Sequence, residues 1–214
     1  MTTGLVVAGC GGHGREVLTI ARAVSEAAGG PVWELLGVVD DRASEENLKR
    51  LQRLDVPYLG DVAWLRDAPP GTRYVIGIGD PRVRRAVERR IDGYGIPAAS
   101  LVHPDATIGP DTEHGPGFVA FPGARVTTNV TIGRHVHLNQ NATVGHDSSL
   151  ADFVSVNPLA AVSGDCHLAE GVLIGTTAAV LQGLRVGRDS TVGAGACVVR
   201  DVPDQMTVKG VPAR

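Results

Sequence analysis

The adjacent residues His146 and Asp147 are the part of this sequence best suited to chemistry. Imidazole has an unperturbed pKa of about 6.5, so near neutral pH it can accept a proton from an attacking amine or hydroxyl. Neighbouring residues of a strand face opposite sides, so the two side chains can act together only at a corner. We expect Gly145 to supply that corner. On these residues alone, an ordinary surface histidine is the alternative.

A second group of interest is Gly9-x-Gly11-x-x-Gly14, which follows an apolar run and precedes a helical pattern. Glycines at such a point permit a tight turn and let a phosphate approach the helix N-terminus. A turn without a ligand is the alternative. A dinucleotide site would require an acidic residue about 20 positions further on. Asp40 lies 26 positions after Gly14, but residues 1–100 are too few for a full six-stranded dinucleotide fold.

Residues 1–100 alternate between strand and helix patterns, which predicts a small Rossmann-like parallel sheet with helices on its faces. Strands are predicted at 5–8, 35–39 and 74–78, and helices after the first strand, at about 45–54 and from Pro81 onward. The arginines within 82–90 are interpreted as a solvated helix face.

Residues 101–214 carry the strongest pattern, an aliphatic residue at every sixth position from Val126 to Val198. A period of six is typical of a parallel β-helix, in which three hexads form one triangular coil of 18 residues. The glycine or asparagine after many of the aliphatics is expected to take a corner conformation with positive φ. We expect five to six coils.

The hexads are less regular near the start of this region. Val102 and Ile108 keep the phase, whereas His114 and Ala120 break it. The sequence therefore predicts an insertion or looser winding at about 111–124.

The 18-residue coil also predicts which residues stack. Gly164 should lie one coil above His146, where its backbone N–H could donate to a bound group and its missing side chain leaves room beside the ring. The two predicted columns are Thr128, His146, Gly164 and Gln182, and Asn139, Asn157, Gly175 and Gly193.

The hexads, the run Gly9-Cys10-Gly11-Gly12-His13-Gly14, the His146-Asp147 pair and the ending Val208-Lys209-Gly210-Val211-Pro212-Ala213-Arg214 together resemble one family. They are similar to the sugar O- and N-acyltransferases of the sialic-acid O-acetyltransferase and bacillosamine N-acetyltransferase type, over essentially the whole chain. The resemblance implies a left-handed β-helix, a homotrimer, and acetyl-CoA bound between neighbouring β-helices. It divides the chain into a nucleotide-sugar-binding domain at 1–100 and an acyltransferase domain at 101–214.

The resemblance also implies roles for residues of the β-helix. His146 would be the general base and Asp147 the group that orients its ring. Cofactor contacts are expected at Ser155, Gly164, Gly175, Gly193 and Ala194. Relatives often have a second histidine nine residues after the first, where this chain has Ser155, so its contact with the acyl donor departs from the family pattern.

A nucleotide-activated sugar is the substrate class that the resemblance implies for the first domain. Asp40 and Asp41 would accept hydrogen bonds from the base or ribose, although both could instead cap a turn. The remaining expected contacts are Gly11, Gly12, His13, Gly14, Arg15, Gly79, Asp80 and Asn139. His13 and Arg15 would meet the diphosphate, and Asn139 would either touch the sugar or satisfy a corner of the backbone.

Composition excludes several other classes of protein. A net charge of −3 argues against nucleic-acid binding and against a polybasic membrane anchor. Three widely spaced cysteines and no long apolar run indicate a soluble cytoplasmic protein. His135, His137, His146 and His167 lack the spacing of a known zinc-binding β-helix class, so no metal is expected.

These observations predict an acyl-CoA-dependent N-acyltransferase, with acetyl-CoA as donor and a UDP- or dTDP-linked amino sugar as acceptor. One alternative is an O-acetyltransferase of sialic acid or another sugar. A second is a non-catalytic protein that binds nucleotide sugars. An NAD-dependent oxidoreductase would rest on the glycine motif alone.

Overall fold

The N-terminal part of the chain is a parallel α/β layer, as the alternating patterns predicted. The computed structural model describes residues 2–214. Its first elements are β1 (Thr3–Ala8), α1 (Gly12–Ala27), β2 (Trp33–Val39), α2 (Glu45–Arg53), β3 (Tyr58–Gly60), a 3-10 helix (Val62–Asp67), β4 (Arg73–Ile76) and α3 (Pro81–Asp92). The strands are parallel in the order β3-β2-β1-β4. The chain adds β2 and β3 on one side of β1 and then crosses to add β4 on the other side, so the strand order reverses at β1. Sheets of this kind bind ligands at the carboxyl ends of their strands beside such a point. Within residues 2–214, no helix is both long and apolar enough to span a bilayer.

From Leu101 onward the chain winds into a triangular prism of 18 short strands in three parallel sheets. The first sheet contains β5 (Leu101–Val102), β8 (Val119–Ala120), β11 (His137–Leu138), β14 (Ser155–Val156), β17 (Leu173–Ile174), β20 (Thr191–Val192) and β22 (Thr207–Val208). The second contains β6 (Thr107–Ile108), β9 (Arg125–Val126), β12 (Thr143–Val144), β15 (Ala161–Val162), β18 (Ala179–Val180) and β21 (Cys197–Val198). The third contains β7 (Thr112–His114), β10 (Val130–Ile132), β13 (Ser149–Leu150), β16 (His167–Leu168) and β19 (Arg185–Val186).

The hexad phase runs unbroken through the region where an insertion was expected. Val102 pairs with Ala120 and His114 with Ile132, each 18 residues apart, so the predicted looser winding at 111–124 is wrong. Ala120 is fully buried in the core of the prism. His114 is exposed, and β7 is the outermost strand of its sheet, so this position does not require a buried aliphatic residue. A shorter coil occurs only at the other end, where Thr191 pairs with Thr207.

The residues that turn the corners are not the glycines that follow the aliphatics. Positive φ occurs three positions after each aliphatic from Val126 to Val192, for example at Asn129, Asp147 and Asp165, so the expected location is corrected. Glycine is needed after the aliphatic for a different reason, because coils approach closely there. A Cβ on Gly145 would lie 2.5 Å from the Gly164 nitrogen, and one on Gly175 would lie 2.6 Å from the Ala194 nitrogen.

The two parts of the chain meet around Arg84 of α3, whose side chain is fully buried. Its guanidinium donates to carbonyl oxygens on both sides of the junction and to the Ser155 hydroxyl. The acceptors are Ile78 O (2.8 Å), Gly79 O (3.1 Å), His135 O (2.9 Å), Phe153 O (2.9 Å), Val154 O (3.3 Å) and Ser155 Oγ (2.8 Å). The interpretation of 82–90 as a solvated face is therefore wrong for Arg84. It is also wrong for Arg85, which pairs with Glu170 and Asp189 of the prism.

Three histidines lie at the same junction, two of them buried and His13 partly buried, and all three are neutral near pH 7. His13 Nε2 lies 2.9 Å from His137 Nδ1, and the His135 ring stacks on Phe153. Burial, with a smaller contribution from the charge of Arg84, lowers the pKa of His13 and of His135 to about 4. The same causes hold the pKa of His137 well below its usual value.

We expect the free energy of unfolding to fall as the pH is lowered from 6.5 towards 5. In this range the unfolded chain binds protons on histidines that the folded chain keeps neutral, so acid favours unfolding. Each such histidine contributes up to about 1.4 kcal/mol per pH unit. Urea titrations at pH 7, 6 and 5 measure the slope, and His135→Phe should reduce it. Phe153 already occupies a corner with positive φ, so phenylalanine is compatible with this backbone. An identical slope in the variant would contradict the assignment.

Candidate active site

His146 and Asp147 form an exposed pair at the edge between the second and third sheets. The His146 side chain is 63% exposed, and its Nδ1 lies 2.6 Å from Asp147 Oδ2. A carboxylate only accepts, so Nδ1 carries the proton and Nε2 presents a free lone pair. Nε2 is therefore available to receive a proton from a bound nucleophile.

Asp147 itself makes the corner that brings the two side chains together. Its φ is +60°, whereas Gly145 is not among the residues with positive φ, so the expectation that Gly145 supplies the bend is corrected. The left-handed conformation turns the Asp147 side chain back onto the ring of the preceding residue. Hydrogen bonds from Asn129 and His146 lower the pKa of the Asp147 carboxyl, so it is ionised at neutral pH.

Gly164 lies one coil above His146, as the 18-residue coil predicted. Asp165 N donates to His146 O at 2.7 Å, which fixes the stacking of the two corners. A Cβ on Gly164 would lie 2.6 Å from both Cε1 and Nε2 of the ring, so only glycine leaves the imidazole in this position. The Gly164 N–H donates to no backbone carbonyl within residues 2–214.

Asn129 is part of this group and was missed by the sequence analysis. Its Nδ2 donates to Asp147 Oδ1 at 2.7 Å. It precedes Asp147 by 18 residues, so the same column arithmetic could have identified it.

The second predicted column lies on a different edge of the prism, between the first and second sheets. Asn139 is buried, and its amide donates to Val156 O (3.0 Å) and Asn157 Oδ1 (3.2 Å), which favours the role of satisfying the corner. Above it, Gly175 approaches the backbone of Gly193 and Ala194 closely. Within one chain, the edge that carries Gly175 and Gly193 is therefore separate from the edge that carries His146.

Ser155 is also separated from His146. It is buried at the domain junction, where its hydroxyl accepts from Arg84 and donates to Gly79 O at 3.0 Å. The structure does not bring this side chain to the surface that carries the base.

A cavity of about 480 Å³ opens at the carboxyl ends of β1 and β2 beside α3. It contains Asp40 and Asp41 of the expected substrate residues. Its full lining is Ala8, Gly9, Val39, Asp40, Asp41, Arg42, Val62, Ile78, Arg82, Val83, Ala86, Val87 and Arg90. The part contributed by α3 was not anticipated, because the sequence does not reveal which face of that helix covers the sheet edge.

Both aspartates of the cavity already have protein partners. Asp40 accepts from the backbone nitrogens of Cys10 (2.8 Å) and Arg42 (2.7 Å). Asp41 pairs with Arg90, which lowers the pKa of the Asp41 carboxyl. Asp40 therefore closes a turn, as the alternative stated, whereas Asp41 is held by an ion pair, and both residues remain part of the cavity lining.

The other expected substrate residues lie outside this lining. Gly11 caps α1 and Gly12 begins it, with open space around Gly11. Gly14 packs against the backbone of Gly9, leaving no room for a side chain. Arg15 is held by Cys10 O (2.9 Å) and Asn47 Oδ1 (2.8 Å), His13 by His137, and Gly79 O by Arg84. Asp80 caps α3 through the nitrogens of Arg82 and Val83.

Within residues 2–214, no three histidine, cysteine or acidic side chains cluster closely enough to hold a metal ion. The exposed edge itself presents the His146 imidazole, the Asp147 carboxylate and the neighbouring backbone.

Comparison with known proteins agrees with these features. The model of the PglD N-terminal domain matches residues 4–91. The acetyltransferase domain of PglB from Neisseria gonorrhoeae FA1090, solved with acetyl coenzyme A, is 31% identical with a TM-score of 0.84, covering 100% of this chain and 99% of that one. PerB from Caulobacter crescentus, solved with CoA and GDP-perosamine, is 31% identical with a TM-score of 0.85, covering 100% and 97%.

WeeI from Acinetobacter baumannii AYE, at 24% identity and a TM-score of 0.83 over 100% of this chain and 99% of that one, supports the fold alone. The expected architecture, a parallel α/β domain followed by a left-handed β-helix, is confirmed. This chain is an acyltransferase and belongs to the hexapeptide-repeat sugar acyltransferases of the sialic-acid O-acetyltransferase and bacillosamine N-acetyltransferase type.

Proposed function

We propose that this chain transfers an acetyl group from acetyl-CoA to the amino group of a nucleotide-linked amino sugar. The observation that carries the proposal is the exposed His146 ring, whose Nε2 is left free by the bond from Nδ1 to Asp147. The ligands of similar structures support the two substrates, since PglB was solved with acetyl coenzyme A and PerB with CoA and GDP-perosamine.

The reaction follows from these groups without a covalent enzyme intermediate. The neutral amine attacks the thioester carbonyl, forming a C–N bond and a tetrahedral oxyanion. His146 Nε2 takes the proton that the nitrogen loses, and Asp147 stabilises the resulting imidazolium. The oxyanion accepts a hydrogen bond from the Gly164 N–H. Collapse breaks the C–S bond, and the imidazolium returns its proton to the CoA thiolate.

The nucleotide is assigned to the cavity beside α3. Apolar residues Val62, Val83 and Val87 can cover a base, while Asp40 and Asp41 can accept from the base or ribose. The diphosphate is assigned to the N-terminus of α1, where the open space at Gly11 admits it and the free N–H groups of the first turn can bind it.

We propose that the active site is completed by a second copy of the chain within a homotrimer. The base edge and the edge containing Gly175 and Gly193 are separate in one chain, and contact between copies would bring them together. Leu181 and Val199 are exposed apolar residues one coil apart, beside the column of His146 and Gly164, and support contact at this edge.

The proposed function is tested by measuring free thiol from acetyl-CoA with UDP-, dTDP- and GDP-linked amino sugars, followed by the product mass. We expect thiol release that requires the amino group and a product heavier by one acetyl group. Turnover only with sugars that lack an amine would indicate O-acetylation. Nucleotide-sugar binding without any thiol release would indicate a non-catalytic binding protein.

Gly164→Ala is expected to lower kcat by about tenfold or more while leaving the fold intact. The new Cβ would lie 2.6 Å from the His146 ring, which is exposed and can move aside, so the base is displaced and the backbone is not. Gly30→Ala is a matched control, because nothing lies near a Cβ there. In a His146→Ala background the second change should have little further effect, since it acts through the ring. Equal kcat values for Gly164→Ala and wild type would contradict this role.

A further inference from the structure

The Asp147 carboxylate is held at both of its oxygens. Oδ2 lies 2.6 Å from His146 Nδ1, and Oδ1 accepts from Asn129 Nδ2 at 2.7 Å. The pair with His146 is half-exposed, so no surrounding core fixes the carboxylate. Without Asn129, the terminal torsion of the aspartate would be broad. The amide is therefore the contact that restricts it.

The backbone sets this geometry in advance. Asn129 and Asp147 occupy equivalent corners one coil apart, with φ of +54° and +60°. Asp147 N donates to Thr128 O at 3.2 Å, which fixes the two corners side by side. The neighbouring corners on this edge carry Asp111 and Asp165. Among these four corners, only position 129 has an amide side chain in place of an aspartate.

We propose that Asn129 is a positioning residue that acts through Asp147 to keep the proton of neutral His146 on Nδ1 and leave Nε2 free. This inference rests on the proposed function for its catalytic meaning, but the tautomer itself can be observed without substrate. An ionised carboxylate can only accept, so a carboxylate fixed at Nδ1 selects the Nδ1–H form. When the carboxylate rotates away, that selection is lost.

The charge at position 129 also matters. An aspartate there would face Asp147 across one coil, replacing a hydrogen-bond donor by a second negative group. Asp165, on the next coil, already lies 3.9 Å from His167 and not against His146. The amide thus stabilises the ionised form of Asp147 without adding charge to the site.

The test is Asn129→Gly, compared with Asp111→Gly as a control on the same edge. Glycine suits both corners because their φ values are positive, and Asp111 has no side-chain bond to the His146 pair. In ¹H–¹⁵N spectra of the unliganded protein at pH 8, wild type and Asp111→Gly should show His146 protonated mainly at Nδ1. Asn129→Gly should show a shift towards the Nε2–H form. With an amino-sugar acceptor, kcat should fall about tenfold while both KM values stay within about twofold.

Asn129→Asp provides a second variant that retains a residue type found at other corners. Because an ionised carboxylate cannot donate to Asp147 Oδ1, this variant should also show the shift towards the Nε2–H form at pH 8. An unchanged His146 tautomer in Asn129→Gly would overturn the inference, whatever happens to kcat. Loss of activity on every amino sugar, with the tautomer shift present, would overturn the proposed function and leave the positioning role standing.

Discussion

Replacing His146 by alanine is expected to lower kcat for acetyl transfer by a hundredfold or more. The amine must lose a proton as the C–N bond forms, and a positioned base contributes roughly 10²–10⁴-fold to such a step. Because the side chain is exposed at a corner and lies outside the core, folding and CoA binding should be unchanged. Single-turnover kinetics measure the chemical step, and isothermal titration measures the affinity for CoA.

His167→Ala is the matched control for this variant. His167 is also a partly exposed histidine of the prism, but its ring bonds to Ser149 in the third sheet, and within residues 2–214 it makes no side-chain bond to His146 or Asp147. Its replacement should leave kcat within about twofold of wild type. A His146→Ala enzyme with nearly normal turnover on its best acceptor would remove the proposed base from the mechanism.

Replacing Arg84 by methionine is expected to destabilise the protein by about 3 kcal/mol or more. Methionine has a similar length but no donors, so the buried carbonyls His135 O and Phe153 O lose their partner. Each unsatisfied buried acceptor costs about 1–3 kcal/mol. Removing the guanidinium also removes the cost of burying its charge, but this gain offsets only part of the cost of the unsatisfied carbonyls. For a chain of this size the change corresponds to a fall in Tm of roughly 10 °C.

Arg89→Met, on the exposed face of the same helix, controls for the loss of a positive charge. It should leave the Tm within about 2 °C of wild type. If the two variants had the same Tm, the hydrogen bonds of Arg84 across the junction would make no net contribution to the stability of the protein. The junction would then depend on apolar contacts alone.

The β-helix could be predicted from the sequence because its geometry is periodic. Once the hexads fix a coil of 18 residues, the stacking of Gly164 on His146 follows by addition. Asn129 follows from the same addition and was overlooked. The location of the corners could not be derived this way, because glycine was attributed to positive φ when its role at Gly145 and Gly175 is close approach between coils.

The contacts at the domain junction could not be predicted from the periodic hexad pattern. Arg84 lies in a run of arginines that resembles a solvated face, and nothing local distinguishes it from Arg89. Its burial depends on how α3 docks against coils that lie 50–70 residues further along the chain. The position of Ser155 beneath this guanidinium depends on the same docking.

The most direct measurement is a crystal structure of the assembled protein with CoA and a nucleotide-linked amino sugar that supports turnover. We predict that the sugar nitrogen lies about 3 Å from His146 Nε2, with the CoA sulfur beside it and two copies of the chain enclosing both. The Asp147 carboxylate should remain bonded to Nδ1. Ligands that meet at another site, with the His146 ring facing open solvent, would contradict the central claim.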